Sequence, residues 1–241
     1  GEGAIDIMAH AKPEPLQSMN RIQALATSLF SASSNSRTSY QLKQPFRPPS
    51  RGELNAFSGH DPRLGGWGPW FGAMLTLALP LGVLIFIKCP SRAVLQVTGF
   101  IIAVLAVTVL ANPEAWWARY TPQLYFLPLT IVVACLACFS GALRVFGLLV
   151  AAVATLNCAM VLLPQAKGSI EGTLALSRQL DVLREEGGPL TVFFSLFAAD
   201  RARLDEADIR YTTVLSREDL PCADPEVLTE SADKVMFCVA Q

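Results

Sequence analysis

The sequence predicts an α-helical membrane protein with four transmembrane helices, an N-terminal flank holding an amphipathic helix, and a small C-terminal α/β domain. Three observations predict it. Apolar residues crowd between Trp67 and Leu163, while both flanks are composed like water-exposed protein. Four runs in that stretch approach the ~20 apolar residues that a helix needs to cross a bilayer. After Leu163 the pattern changes to a helical repeat followed by short β-forming runs. Composition agrees: 52% of residues are hydrophobic and 16% charged, against about 25% charged in soluble domains, and the mean hydropathy is +0.40. A formal net charge of -1 gives no electrostatic reason to expect a nucleic-acid partner. The predicted division is 1–66, 67–163 and 164–241.

In the first part, "SMNRIQALATSLFSAS" places Met19, Ile22, Leu25, Ala26, Leu29 and Phe30 on one helical face. Such a helix either lies on a membrane surface or packs on protein. The Ser- and Pro-rich "SASSNSRTSYQLKQPFRPPSRG" reads as a loop. "ELNAFSGHDPRLGGWGPWFG" then leads into the first apolar run. Trp67 and Trp70 fit the aromatic belt at headgroup level. His60, Asp61 and Arg63 invite a catalytic reading, but Asp61-Pro62 is also a common turn start, and sequence neighbours seldom point together. The chain opens at Gly1 without a signal-peptide pattern, and its first residues read as the interior of a longer chain.

The four predicted spans are 70–87, 93–111, 122–139 and 143–163. The first three carry no internal charge, and the fourth has only Arg144 at its start. A soluble amphipathic helix needs a polar stripe; these have isolated polar residues, Gln96 and Asn157, suited to bonding neighbouring helices. Pro80 and Pro128 are expected to kink their helices. Lys88 and Arg92 in one short loop, with Arg144 after another, place those loops in the cytoplasm by the positive-inside rule. Asn112–Thr121 and both termini then face outward. Asp, Glu and Lys are missing from the span interiors, which argues against an ion-coupled transporter.

Of six cysteines, Cys89, Cys135, Cys138 and Cys158 read as small buried thiols, since metal or redox chemistry needs water access. Cys222 and Cys238 lie in the C-terminal flank, where an oxidising compartment would pair them. In that flank "GSIEGTLALSRQLDVLREEGG" is a helix ended by Gly187-Gly188, with Ile170, Leu174, Leu176, Leu180 and Leu183 at helical spacing. "PLTVFFSL", "IRYTTVL" (alternating Ile209, Tyr211, Thr213, Leu215) and "KVMFCVA" read as strands, and Asp200 as the cap of a short helix. No phosphate loop, catalytic serine motif, metal spacing or cofactor-binding pattern occurs there.

Two stretches carry a family resemblance. Asp61-Pro62-Arg63-Leu64-Gly65-Gly66-Trp67-Gly68-Pro69 opens a predicted span, and Trp116-Trp117-Ala118-Arg119-Tyr120 lies in a loop two helices later. Together they resemble large bacterial polytopic proteins of the glycosyltransferase-C type, similar in plan to protein O-mannosyltransferases and lipid A aminoarabinose transferases. The resemblance covers roughly Leu54 to the C terminus. It implies sugar transfer from a polyprenyl-phosphate donor at the outer face of the bacterial inner (plasma) membrane, with the C-terminal domain outside the cytoplasm. It also implies a catalytic acid in the first outward loop of the full protein, so this chain would be catalytically incomplete and need a missing N-terminal membrane half or a partner subunit.

The candidate site residues are therefore Arg119, Trp116, Trp117, Glu114, Arg63 and Asp61. Arg119 suits a lipid phosphate through charge-assisted hydrogen bonds, the tryptophans a sugar ring or lipid entry, and Glu114 or Asp61 acid–base work. The alternative is a non-enzymatic membrane scaffold or assembly subunit with an exported α/β domain. Trp116, Trp117 and Tyr120 are then belt residues among membrane lipids, and Arg119 snorkels to their phosphates.

Overall fold

The computed structural model describes residues 12–59, 62–194, 199–229 and 235–239. The chain divides into two compact units, Gly1–Ala166 and Lys167–Gln241. His10, His60 and Asp61 lie outside the described residues.

The N-terminal flank is built on three short helices, α1 (Glu14–Gln17), α2 (Arg21–Leu29) and α3 (Arg51–Asn55). A capping box starts α2, in which the Asn20 side chain accepts from Gln23 N and the Gln23 side chain from Asn20 N; this satisfies two of the orphan donors at a helix start. The inward side of α2 differs from the predicted stripe. Ala24 and Ser28 are buried, Leu25 and Leu29 pack on the unit's main core, and Ile22 is 66% exposed. Small residues let the helix lie close to neighbouring backbone: the Ser28 hydroxyl accepts from Gly65 N at 3.4 Å. As predicted, 31–50 is loop, stitched by single bridges from Ser31 to Leu42 and from Ser34 to Leu64.

Three buried or half-buried ionic groups hold this loop. Lys43 Nζ donates to Glu53 Oε1 at 2.6 Å, and Arg47 Nη2 donates to Glu53 Oε2 at 3.3 Å. Ser50 N donates to the same carboxylate at 2.9 Å, while Glu53 N returns to Ser50 Oγ at 3.2 Å. Burial pushes the Glu53 carboxyl up, but the Lys43 hydrogen bond, the Ser50 N–H and the charges of Lys43 and Arg47 outweigh it and hold it below its ordinary value of 4.5. A depressed carboxylate stabilises the fold above the unfolded-state value, and the contribution is lost as pH falls through the folded one. The contribution of Glu53 to the thermal stability of the full chain is therefore expected to be constant from pH 7 to about 5 and to weaken below about 4.5. A wild-type curve parallel to that of Glu53→Gln across the whole acid range would contradict this.

The apolar runs form α4 (Phe71–Lys88), α5 (Arg92–Ala111), α6 (Phe126–Cys138) and α7 (Gly141–Glu186). Three of them, α4, α5 and α7, are long and apolar enough to cross a membrane. The third predicted span differs: its α-helix has 13 residues, preceded by a 3-10 turn at Pro122–Tyr125. Pro128 accordingly lies in the first turn of α6, where its missing N–H costs no helical bond, and α4 runs through Pro80. The fourth predicted span and the helix after it are one 46-residue element. Pro164 removes one hydrogen bond without ending it, and the charge-free stretch closes before Lys167. The helices meet around Met74, Leu81, Ile85, Ile131, Cys135 and Val150. An outward stripe on α5, Val97, Phe100, Val104, Val107 and Leu110, is exposed and apolar, a surface that soluble monomers rarely carry.

Two cysteine assignments are corrected. Cys89 and Cys138 are bonded to each other, because α4 and α6 end side by side with their Cα atoms 5.4 Å apart; Cys135 and Cys158 are free. Cys222 and Cys238 also form a disulfide.

The second unit packs the end of α7 on a four-stranded sheet, β1 (Leu190–Phe193), β2 (Tyr211–Val214), β3 (Glu226–Val227) and β4 (Met236–Val239), in the order β2-β1-β4-β3. β1 pairs parallel with β2, from Leu190 opposite Tyr211 to Phe193 opposite Val214, and antiparallel with β4. Helix α8 (Ala199–Glu206) lies between β1 and β2 in sequence. Leu176, Leu183, Leu190, Val192, Leu204, Ile209 and Phe237 form the core. Gly187 ends α7 with φ 67°, the left-handed position glycine favours there. Ile170 and Leu174 lie on the exposed side of α7, and Leu215, included in the predicted alternating strand, is 98% exposed beyond the end of β2. Asp200 is inside α8 rather than capping it, and accepts from Arg203 Nη1 at 3.1 Å.

Candidate functional site

The two motifs that the sequence separates come together. Ser34 and Leu64 exchange backbone hydrogen bonds of 3.0 and 3.1 Å, Ser33 Oγ donates to Gly65 O at 2.9 Å, and Asn35 Oδ1 accepts from Arg63 N at 3.1 Å. This fixes the glycine-rich block against the N-terminal loop. Gly66 faces the second motif so closely that a Cβ there would sit 2.9 Å from Ala118 Cβ. Trp67 Nε1 donates to Thr121 O at 3.2 Å, 54 positions away. Tyr125 Oη donates to Trp67 O, and Asn157 Nδ2 donates to the same carbonyl at 2.8 Å while its Oδ1 accepts from Trp70 N at 2.8 Å.

The loop of the second motif is folded by its own polar residues. Asn112 Nδ2 donates to Tyr120 O at 3.0 Å and Asn112 Oδ1 accepts from Glu114 N at 2.8 Å. Thr121 Oγ1 donates to Ala115 O at 3.2 Å. Glu114 Oε2 accepts from Trp116 Nε1. Trp116 and Trp117 stack with centroids 5.3 Å apart, and Tyr120 meets Trp117 edge-on at 5.5 Å.

Onto this aromatic cluster converge two cations. The Arg63 guanidinium carbon is 5.5 Å from the Trp117 centroid, and that of Arg119 is 5.1 Å from Trp117 and 5.3 Å from Tyr120. Both lie within the ~6 Å reach of a cation–π contact. Arg63 is half-buried and Arg119 exposed.

Five of the six candidate residues, Arg63, Glu114, Trp116, Trp117 and Arg119, are thus brought into one place; Asp61 lies outside the described residues. The tryptophans differ from the belt expectation. Trp116 and Trp117 are 2% and 7% exposed, packed with Leu16, Ala24 and Leu64. Trp67 is a core residue stacked on Phe71, and Trp70 donates from Nε1 to Arg47 O at 3.1 Å. Their amphipathic rings are satisfied by protein rather than by headgroups. Asn157 does bond across elements, though to the glycine-rich block rather than a neighbouring helix, while Gln96 is exposed. The ion cluster of Lys43, Arg47 and Glu53 is absent from the sequence reading; its one legible trace is Ser50-x-x-Glu53, a capping-box spacing.

In length and composition α4, α5 and α7 are consistent with a multi-pass membrane protein. No family model, curated protein or solved structure matches this chain.

Proposed function

We propose that this chain is the C-terminal portion of a membrane glycosyltransferase that uses a polyprenyl-phosphate-linked sugar donor, and that its own part is to hold the lipid phosphate at the outer membrane face. One observation carries the reading: Arg63 and Arg119, from two separate motifs, lie against the single indole of Trp117 at the loop joining two apolar helices. Guanidinium groups keep their charge and present a fork of donors matched to phosphate oxygens. Contact with the ring restrains both side chains, so less rotamer freedom is lost when the phosphate binds. In the family that the motifs resemble, the catalytic acid lies in the first outward loop of the full protein. The proposal gives this chain the phosphate and not the acid.

Four crossings fit the geometry. The 3-10 turn and α6 together, Pro122–Cys138, reach about 27 Å at the usual rises, close to the ~30 Å hydrocarbon core. Between Cys138 and Cys222 the chain then crosses once, so either orientation leaves one of the two disulfides on the cytoplasmic side. Loop charge favours one of them: by the positive-inside rule Lys88, Arg92 and Arg144 support a Cys89–Cys138 end inside, and with it Asn112–Thr121 and the C-terminal unit outside, which at the bacterial inner membrane is the face the reading requires.

The test uses the full chain in phosphatidylcholine nanodiscs with and without added polyprenyl phosphate, read by native mass spectrometry. Charge-assisted hydrogen bonds contribute about 1.5–3 kcal/mol each, so Arg63→Gln with Arg119→Gln is expected to weaken retention by about tenfold or more. Equal retention by the variant would defeat the phosphate assignment. A cysteine replacing exposed Pro113 should react with an impermeant maleimide in intact cells, and labelling only after lysis would reverse the orientation.

A non-enzymatic scaffold or assembly subunit is favoured by a different observation. Burial of Trp116 and Trp117, with the close fit of Gly66 to Ala118, accounts for much of both motifs by packing alone.

A further inference from the structure

We propose that the cleft walled by residues 32–56 binds a single sugar unit bearing one oxyanion, either a sugar acid or a sugar phosphate. The cleft encloses about 580 Å³, within the range of small-ligand sites. Neither Arg63 nor Arg119 lines it, and the inference does not depend on the reading of that pair.

The lining has a specific chemistry. It includes no branched aliphatic side chain, methionine or phenylalanine, which makes it unsuited to an acyl chain or an apolar peptide. Tyr40, Gln41 and Asn55 present a hydroxyl and two carboxamides, and those side chains have no hydrogen-bond partner among the described residues. Hydroxyls and carboxamides both donate and accept, as do the adjacent hydroxyls of a sugar ring. Small residues, Ala32, Gly52 and Ala56, leave room beside them.

Charge selects the anion. Arg47 and Glu53 line the cleft, and Lys43, buried behind that wall 2.6 Å from Glu53, brings the cluster to one net positive charge. Its Nη2 is engaged by Glu53, but its Nε is buried without an acceptor. The Arg47 side chain is nevertheless 36% exposed, so an oxyanion in the cleft meets a guanidinium whose charge it shares with the single carboxylate of Glu53. The walls are already set: Ala32 N donates to Gln41 O at 2.8 Å, and Ser50 and Glu53 close their capping box. Binding therefore requires little ordering of the chain.

The test is calorimetric titration of the full chain in detergent with glucuronate, glucose 6-phosphate, methyl glucoside and inorganic phosphate. Glucuronate or glucose 6-phosphate is expected to bind saturably, and the tighter of the two identifies the anion. Methyl glucoside and inorganic phosphate should each bind about tenfold more weakly or worse. Gln41→Ala with Asn55→Ala alters two exposed side chains outside the hydrogen-bond network; it should keep the melting temperature and weaken the anionic sugar by about tenfold. Arg47→Gln should erase the preference for the anionic over the neutral sugar. No saturable binding of either anionic sugar, unchanged affinity in the Gln41/Asn55 variant, or inorganic phosphate binding as tightly as glucose 6-phosphate would each overturn the proposal.

Discussion

Replacing Gly68 with alanine is expected to destabilise the first unit by about 3 kcal/mol or more, the sum of backbone strain at ~1–3 kcal/mol and a buried hydrogen bond lost at ~1–3 kcal/mol. Gly68 has φ 110°, and a Cβ there would lie 2.5 Å from Asn157 Oδ1 and 2.6 Å from Nδ2. A clash with a side-chain tip is ordinarily relieved by rotation. Asn157 is fully buried, and both ends of its carboxamide are committed, one to Trp67 O and one to Trp70 N. Rotation would leave the Trp70 N–H without its acceptor and the Trp67 carbonyl with the Tyr125 hydroxyl alone, and an unpaired buried N–H costs the full desolvation of that group. With about 2–4 °C per kcal/mol in a chain of this size, the midpoint in detergent should fall by roughly 10 °C. A double-mutant cycle isolates the cause. Once Asn157→Ala has removed the obstacle, Gly68→Ala should cost only the backbone strain. Costs that simply add would show that the Asn157 contact does not set the effect.

The same pair shows what the sequence could and could not convey. The apolar runs, their near-complete lack of charge and the glycine end of the long helix are local features, and they were legible because hydropathy and turn chemistry are local. Length was less so. Pro122–Tyr125 is a 3-10 turn, and α6 is correspondingly short, which no apolar count distinguishes from a full span. The 46-residue α7 joins the predicted span 143–163 to the predicted helix that starts at Gly168, and Pro164 between them removes only one hydrogen bond, which apolar patterning on either side does not register. The burial of Trp116 and Trp117 was invisible for a different reason. Aromatics beside apolar runs have the same pattern whether they meet headgroups or protein, and here Leu16, Ala24 and Leu64, remote in sequence, cover them. Five candidate site residues converge, but the reason they do so, the bonds of Asn35, Ser33 and Asn157 to the glycine-rich block, lies in polar residues with no periodicity to read.

Removing one partner of the buried Lys43–Glu53 pair is the other large expected effect, about 3–5 kcal/mol for an uncompensated buried charge. The two removals should not be equal. Glu53→Gln leaves the Lys43 ammonium 4% exposed with its carboxylate gone, and leaves Arg47 without a counter-charge as well. Lys43→Met leaves Glu53 with Arg47 and the Ser50 N–H, so it should cost the less of the two. Lys43→Met combined with Glu53→Leu takes away both buried charges and should recover part of the loss, though not the bond that Ser50 N donates to the Glu53 carboxylate, about 1.5–3 kcal/mol for a hydrogen bond to a charged group. Differential scanning fluorimetry at pH 7 gives the ranking. Repeating it in acid separates electrostatics from packing: protonated Glu53 resembles glutamine in charge and shape, so the gap between wild type and Glu53→Gln should close as pH falls below the ordinary carboxylate range, while the Lys43→Met/Glu53→Leu variant keeps its midpoint relative to Glu53→Gln. A gap that persists unchanged at low pH would mean that the carboxylate charge is not what holds the N-terminal loop, and that Ser50 and the packing of Phe57 and Leu64 carry it instead.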